Sequence, residues 1–335
     1  MAEHFDALLV LGFGGPEKSE DVMPFLENVT RGRGIPRERL AEVAENYYRL
    51  GGASPINEQC RALIAALREE LTAHGIGLPI YWGNRNWHPF LEETMRQMVH
   101  DGVRRALVAV TSAYASYSAC RQYLEDIDNA KAALGGDTPS FERLPHYCLN
   151  PGFIDPIIEH VRAAFEELPS ASRNAARLLF TAHSIPLAMV QTSKYLDQLK
   201  EVSRRVAEGA GHPEFRLVFQ SRSGPPQQPW LEPDVRDALR EAALAGAKDV
   251  VVAPIGFISD HMEVKFDLDT QARELAESLG LNMLRAATVG TDPKFVAMLR
   301  EMIEARLSGA REAWPWPCEE HCCPIPTLHG RPSAR

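Results

Sequence analysis

Two stretches place ionisable side chains where apolar runs end. One is Thr181-Ala182-His183-Ser184-Ile185-Pro186; the other is Asp260-His261-Met262-Glu263, with Asp267 and Asp269 close behind. Neutral imidazole and carboxylate together suit borderline divalent metals such as Fe²⁺ or Co²⁺. The same groups make a general-base set that titrates near neutrality. His183 alone would read as a satisfied structural histidine, and Ser184 lacks the G-x-S-x-G setting of a nucleophile elbow. What singles out His183 is company, because His261 and Glu263 are expected on the same sheet edge. Their spacing puts both on one face of an extended segment, with Met262 turned into packing. Asp260, His261 and Asp267 would then orient a ligand or attract a cation. Asp267 and Asp269 read equally well as the polar face of a following helix.

Gly12-Phe13-Gly14-Gly15-Pro16 lacks the third glycine of a dinucleotide fingerprint, where Glu17 stands instead. It reads as a glycine turn with proline near a helix start. Gln220-Ser221-Arg222-Ser223-Gly224-Pro225-Pro226, running on to Trp230-Leu231-Glu232-Pro233, reads as a rigid loop with few backbone donors. Near the C-terminus, Cys318-Glu319-Glu320-His321-Cys322-Cys323 follows Trp314-Pro315-Trp316-Pro317. Three readings compete there: a tail without fixed structure, a zinc site with His321 as fourth ligand, or an iron–sulfur cluster. A cluster wants four thiolates, and Cys148 is the candidate for the fourth. Cys60 and Cys120 are expected to be buried thiols.

The elements that must position these groups alternate between short apolar strands and longer helical stretches, which implies parallel sheets flanked by helices. Strands are expected at 7–12, 79–83 and 106–110, and again at 177–181, 215–220 and 249–254. The halves also echo each other beyond the strands. The 83–92 stretch parallels 220–233, and Ala113-Tyr114-Ala115-Ser116-Tyr117-Ser118 parallels Gly256-Phe257-Ile258-Ser259-Asp260-His261. The expected organisation is two similar Rossmann-like α/β domains, residues 1–148 and 149–305, followed by a cysteine-containing tail at 306–335. Ligands of open parallel sheets bind beyond the carboxyl ends of the strands, so the ionisable groups should face a cleft between the domains.

A formal charge of −9 disfavours nucleic acid as a partner. No apolar run reaches the roughly 18–20 residues that span a bilayer. The acidic start MAEHFD has no signal-peptide pattern, so a cytoplasmic enzyme is expected. No amphipathic anchor stands out, although Val22–Val29 could form an apolar lip. Oligomeric state is left open.

In order and spacing, FTAHSIP, FQSRSGPP followed by PWLEP, and PIGFISDHMEVKFDLD resemble the signatures of ferrochelatases. LGFGGPEKSEDVMPFLENVTRGRGIP, YYRLGGASPIN, YWGNRNWHPFL and TSAYASYSACRQY also look like that family, particularly its actinobacterial-type members. The match runs from residue 5 to about 305. The resemblance implies a bilobal chelatase fold, a porphyrin cleft and insertion of Fe²⁺ as substrate in haem synthesis. Coproporphyrin III is favoured over protoporphyrin IX. By motif, His183 matches the active-site histidine and Glu263 its carboxylate partner, placed on opposite sides of a small space. Ser54, Tyr123 and Arg31 match stretches that hold porphyrin carboxylates. Phe13, where many relatives carry tyrosine, joins Met23 and Phe25 as an apolar wall. Some members carry a 2Fe–2S cluster on one internal and three C-terminal cysteines, which implies Cys148, Cys318, Cys322 and Cys323. The alternatives are a cobalt-inserting chelatase, a non-catalytic porphyrin or haem carrier and, more remotely, a nucleotide-dependent oxidoreductase.

Overall fold

The computed structural model describes residues 4–224, 227–310 and 322–325. Two four-stranded parallel sheets form, one in each half of the chain. The first comprises β1 (Ala7–Gly12), β2 (Ile80–Asn84), β3 (Arg105–Val110) and β4 (Ser140–Arg143), in the order β2-β1-β3-β4. The second comprises β5 (Arg177–His183), β6 (Phe215–Gln220), β7 (Asp249–Ala253) and β8 (Asn282–Arg285), in the equivalent order β6-β5-β7-β8. All six expected strands are present. The two additional strands, SFER and NMLR, are four-residue edges with no apolar run to announce them. Helices α1 (Ser19–Val29), α2 (Arg37–Arg49), α3 (Ile56–Ala73), α4 (Leu91–His100) and α5 (Gln122–Leu134) accompany the first sheet. The second half contains α6 (Pro151–Glu166), α7 (Leu187–Gln191), α8 (Tyr195–Ala210), α9 (Val235–Leu244), α10 (Arg273–Ser278) and α11 (Pro293–Leu307).

Helix starts follow the expected chemistry. Asn150, Asp234 and Asp292 each accept the backbone N–H two residues on, and Pro151 and Pro293 take the first helical position, where an N–H would lack a partner anyway. The repeat also reaches the loops. Asn84 N–H donates to Pro89 O and Phe219 N–H to Pro233 O, both at 2.8 Å, and each proline stands two residues before a helix. Each half also has a π-helical stretch, Tyr117–Arg121 before α5 and Val264–Ala272 before α10.

One apolar core runs through both halves, joining Leu8, Leu67 and Tyr114 to Phe153, Phe180 and Leu199. Tyr114 donates its hydroxyl to Ile255 O at 2.8 Å, and Ala115 N–H donates to the Gln198 side chain at 2.7 Å. Helix α11 returns from the second half to pack on α3 as well as α6. Helices α1 and α2 bury a smaller cluster of their own, Val22, Phe25, Leu26, Leu40 and Ala44. No helix among the described residues is long and apolar enough to cross a membrane.

Candidate active site

Seven of the eight strands send their carboxyl ends toward one cavity of about 650 Å³. Its walls include Phe13, Arg85 and Thr111 from beyond β1, β2 and β3. From the second half come His183 at the end of β5, Ser223 beyond β6, His261 and Glu263 beyond β7, and Thr288 beyond β8. Parallel strands put their loops and side chains on this edge, so the fold concentrates chemistry there. Close packing behind the first wall requires glycine. Gly14 has φ +80°, and an added Cβ would lie 2.9 Å from Asn84 Cβ and 3.0 Å from Trp87 N.

His183 and Glu263 do not face each other across the space. They are neighbours, with Nδ1 of His183 3.0 Å from Oε2 of Glu263. The side chains keep 31% and 43% of their surface open, enough to meet a ligand. Among the described residues, His183 Nε2 makes no hydrogen bond to protein. Burial pushes the imidazole pKa down, but the charge and hydrogen bond of Glu263, with the charge of Asp267, together outweigh this and hold it above the ordinary 6.5. Burial likewise opposes the Glu263 charge, yet His183, and His261 to a smaller extent, keep its carboxyl well below the usual range. Two further groups fix the pair's main chain. Tyr195 on α8 donates its hydroxyl to His183 O at 3.0 Å, and Gln220 at the end of β6 donates to Glu263 O at 2.9 Å. Neither was singled out from sequence, because a polar residue at a helix start or strand end carries no mark of its partner.

Residues 261–263 are not extended, as alternation alone would have it. The backbone becomes helical at Met262, which is buried, and the π-helical stretch follows. His261 Nδ1 accepts the Glu263 N–H at 3.1 Å, which leaves the ring proton on Nε2. Burial lowers the His261 pKa and keeps the ring neutral. Asp260 is fully committed to structure: Arg285 binds both its carboxylate oxygens at 2.7 and 3.2 Å, and Thr288 donates to one at 3.0 Å. The same guanidinium holds Asp269 on the π-helical stretch. Asp267 accepts from the Ser221 hydroxyl. Burial, opposed by that hydroxyl and assisted by the Glu263 charge, pushes Asp267 up to about 6. Asp267 and Asp269 are therefore both partnered side chains rather than a solvated face.

At the other wall, Phe13, Ser54 and Tyr123 line the cavity, with Phe13 packed edge-on to Phe25 at 6.2 Å between ring centroids. Met23 instead packs among the α1–α2 side chains. Arg31 is exposed, bonds Asn28 and is not among the lining residues; the lining arginines are Arg33 and Arg85. Arg85 lies 3.8 Å from the Tyr123 ring centroid, paired to Asp126 and bonded to Gln122 at 3.2 Å. The residues after Val29 have no periodicity that would tell which arginine turns inward.

Cys60 and Cys120 are buried, as expected. Cys148 is wholly buried in the shared core, and burial pushes its thiol up to about 12. Cys323 is buried, and the Cys322 carbonyl accepts two bonds from Arg121 at 3.0 and 3.2 Å. Cys318 lies outside the described residues. Among those described, no three His, Cys, Asp or Glu side chains gather closely enough to hold a metal ion. Cys148, Cys322 and Cys323 therefore form no such group by themselves among the described residues.

Two sheets of one order, facing a cavity that carries an imidazole–carboxylate pair, define a chelatase-type protein. The sirohydrochlorin chelatase SirB from Bacillus subtilis subspecies spizizenii shares this fold with a TM-score of 0.52 and 12% identity, over 91% of this chain and 96% of that one. The Ferrochelatase family model matches residues 5–307. Coproporphyrin III ferrochelatase of Streptomyces coelicolor is 49% identical over 99% of this chain and 96% of its own length. That of Nocardia farcinica is 50% identical over 91% and 89%, and a ferrochelatase of Rhodopirellula baltica is 47% identical over 98% and 97%. The chain belongs to the ferrochelatase family.

Proposed function

We propose that this protein inserts Fe²⁺ into a porphyrin in haem biosynthesis, with coproporphyrin III the favoured substrate. Family membership and the names of its actinobacterial relatives support the reaction and the porphyrin. One observation carries the mechanism: the His183–Glu263 contact leaves Nε2 of the imidazole without a protein partner at the cavity wall.

Insertion exchanges the metal for two pyrrole N–H protons. Neutral His183 donates Nδ1–H to Glu263 and offers the Nε2 lone pair to a pyrrole proton. The imidazolium that forms is stabilised by the carboxylate, the same attraction that raises the His183 pKa. Releasing that proton to cavity water resets the pair for the second. With the Nε2 lone pair of His183 taking the pyrrole proton, it is the porphyrin nitrogens that complete the iron's coordination as water leaves. Phe13 and Phe25 press on the macrocycle, so that binding energy supports a bent ring with exposed lone pairs. Ser54, Tyr123, Arg33 and Arg85 supply the polar and cationic contacts for substrate carboxylates.

The test is insertion rate with coproporphyrin III against protoporphyrin IX. Preference for the former supports the proposed substrate; preference for the latter replaces it. Failure with both, alongside tight porphyrin binding, would make the protein a carrier. The 2Fe–2S cluster is a separate proposal, resting on the four cysteines and the resemblance. Iron and acid-labile sulfide in the anaerobically purified protein, lost on Cys148→Ala, would support it, and a colourless preparation free of both would end it.

A further inference from the structure

Gln59 stands on α3, in the half of the molecule opposite the His183–Glu263 pair. Its side-chain amide makes two reciprocal bonds with the backbone of a single residue across the cavity. Nε2 donates to Asp260 O at 3.1 Å, and Oε1 accepts Asp260 N–H at 2.8 Å. Both residues line the cavity. The amide thus acts like a strand edge, capturing one peptide unit on each side of a residue. Asp260 directly precedes His261, whose ring accepts the Glu263 N–H.

The rest of Asp260 is equally fixed. Arg285 and Thr288 satisfy its carboxylate, and Arg285 reaches on to Asp269 in the π-helical stretch. A chain of bonds therefore runs from α3 through Gln59 to Asp260, and from there to the segment that carries Glu263. Removing the amide leaves Arg285 as the anchor on the second half, but nothing along this chain then ties Asp260 to α3. Ser54 lies just before α3, so the same helix that reaches Asp260 borders the wall facing the substrate's rim.

We propose that Gln59 is a positioning residue for insertion, a brace that fixes the 260–263 segment against the opposite cavity wall so that the His183–Glu263 pair meets the bound macrocycle at a set depth. This rests on the insertion reading and deepens it. The brace acts through Asp260, so its loss should change how a bound porphyrin is held and turned over more than whether it is bound.

The experiment compares the full chain with Gln59→Leu, which removes both bonds at similar volume, and Gln59→Glu, which keeps only the acceptor for Asp260 N–H. Two bonds of this kind correspond to roughly a tenfold change in local opening. Hydrogen exchange at the amides of residues 259–263 should accelerate by about that factor in Gln59→Leu, and less in Gln59→Glu. The kcat for Fe²⁺ insertion should fall about tenfold with porphyrin KM changed less than threefold, as for an interaction felt in the transition state. Resonance Raman bands of out-of-plane ring distortion in the bound porphyrin should weaken in parallel. A raised KM with unchanged kcat would mean that Gln59 contacts substrate directly, and unchanged exchange at 259–263 would mean that no brace exists; either overturns the proposal. Because exchange is read without turnover, a protein that inserts no iron would defeat the functional reading while leaving the brace separately measurable.

Discussion

A histidine beside a carboxylate is tuned by two opposing forces, and their balance gives a testable pH dependence. His183 must be neutral at Nε2 to take a proton, and the adjoining Glu263 charge raises its pKa above 6.5. The kcat/KM for insertion should therefore rise with pH through a value above 6.5. In Glu263→Gln the raising charge is gone while burial remains, so any residual activity should show that limb at lower pH. A limb that stays in place would assign it to another group. His183→Ala should abolish insertion while porphyrin still binds, as followed by fluorescence quenching; near-normal turnover would remove His183 from the mechanism. The pair is legible in sequence because His183 ends β5 and Glu263 follows the end of β7, and the apolar runs of both strands are unmistakable. Arg33, Arg85 and Gln59 are not. Each is a polar residue on a loop, strand end or helix, where composition says nothing about which way the side chain turns.

At the scale of elements, the π-helical stretch Val264–Ala272 and β8 are joined by one guanidinium. Arg285 keeps 11% of its side-chain surface and satisfies Asp260 and Asp269 together. Arg285→Met would leave Asp269 with Lys265 at 3.2 Å and Asp260 with Thr288 at 3.0 Å, and should lower unfolding free energy by about 2 kcal/mol in urea titrations. Asp267 behaves in the opposite way. Its carboxyl is raised to about 6, so the folded state favours the protonated form. The stability this contributes is complete below the unfolded pKa near 3.8 and lost as pH rises through about 6. Asp267→Asn, which keeps an acceptor for Ser221, should thus be more stable than the parent above pH ~6, with the difference vanishing near pH ~4. A thermal-unfolding series across that range checks the sign. Alternation placed His261 and Glu263 on an extended segment because period-two and helical readings cannot be separated over three residues. The apolar positions Val264, Phe266 and Leu268 do alternate, but they are buried on a wide helix rather than a strand.

For the whole molecule, repetition was readable and union was not. Matching strand runs and parallel loop stretches announce two similar halves, and their sheets do share one order. What no local pattern reports is that the halves bury a common core, with Tyr114 bonded to Ile255 and α11 lying against α3. Contacts of such sequence separation leave no periodic signal. Heating should accordingly give one cooperative calorimetric transition, not two. Resolved peaks for the two halves would show that the shared core does not couple them.

A π-helix holds more residues in each turn than an α-helix, so Val264–Ala272 behaves as a helix with surplus chain. Excising Thr270 alone would let the run tighten to ordinary α-helical winding with α10 kept close to its present register. The same cut in a regular α-helix would turn everything beyond it by about 100°. The groups displaced would be those inside the run, Asp267 and Asp269, relative to Ser221 and Arg285. A shortened protein of this kind would report, through one missing amino acid, how much of the catalytic geometry is stored in the winding of a single helix.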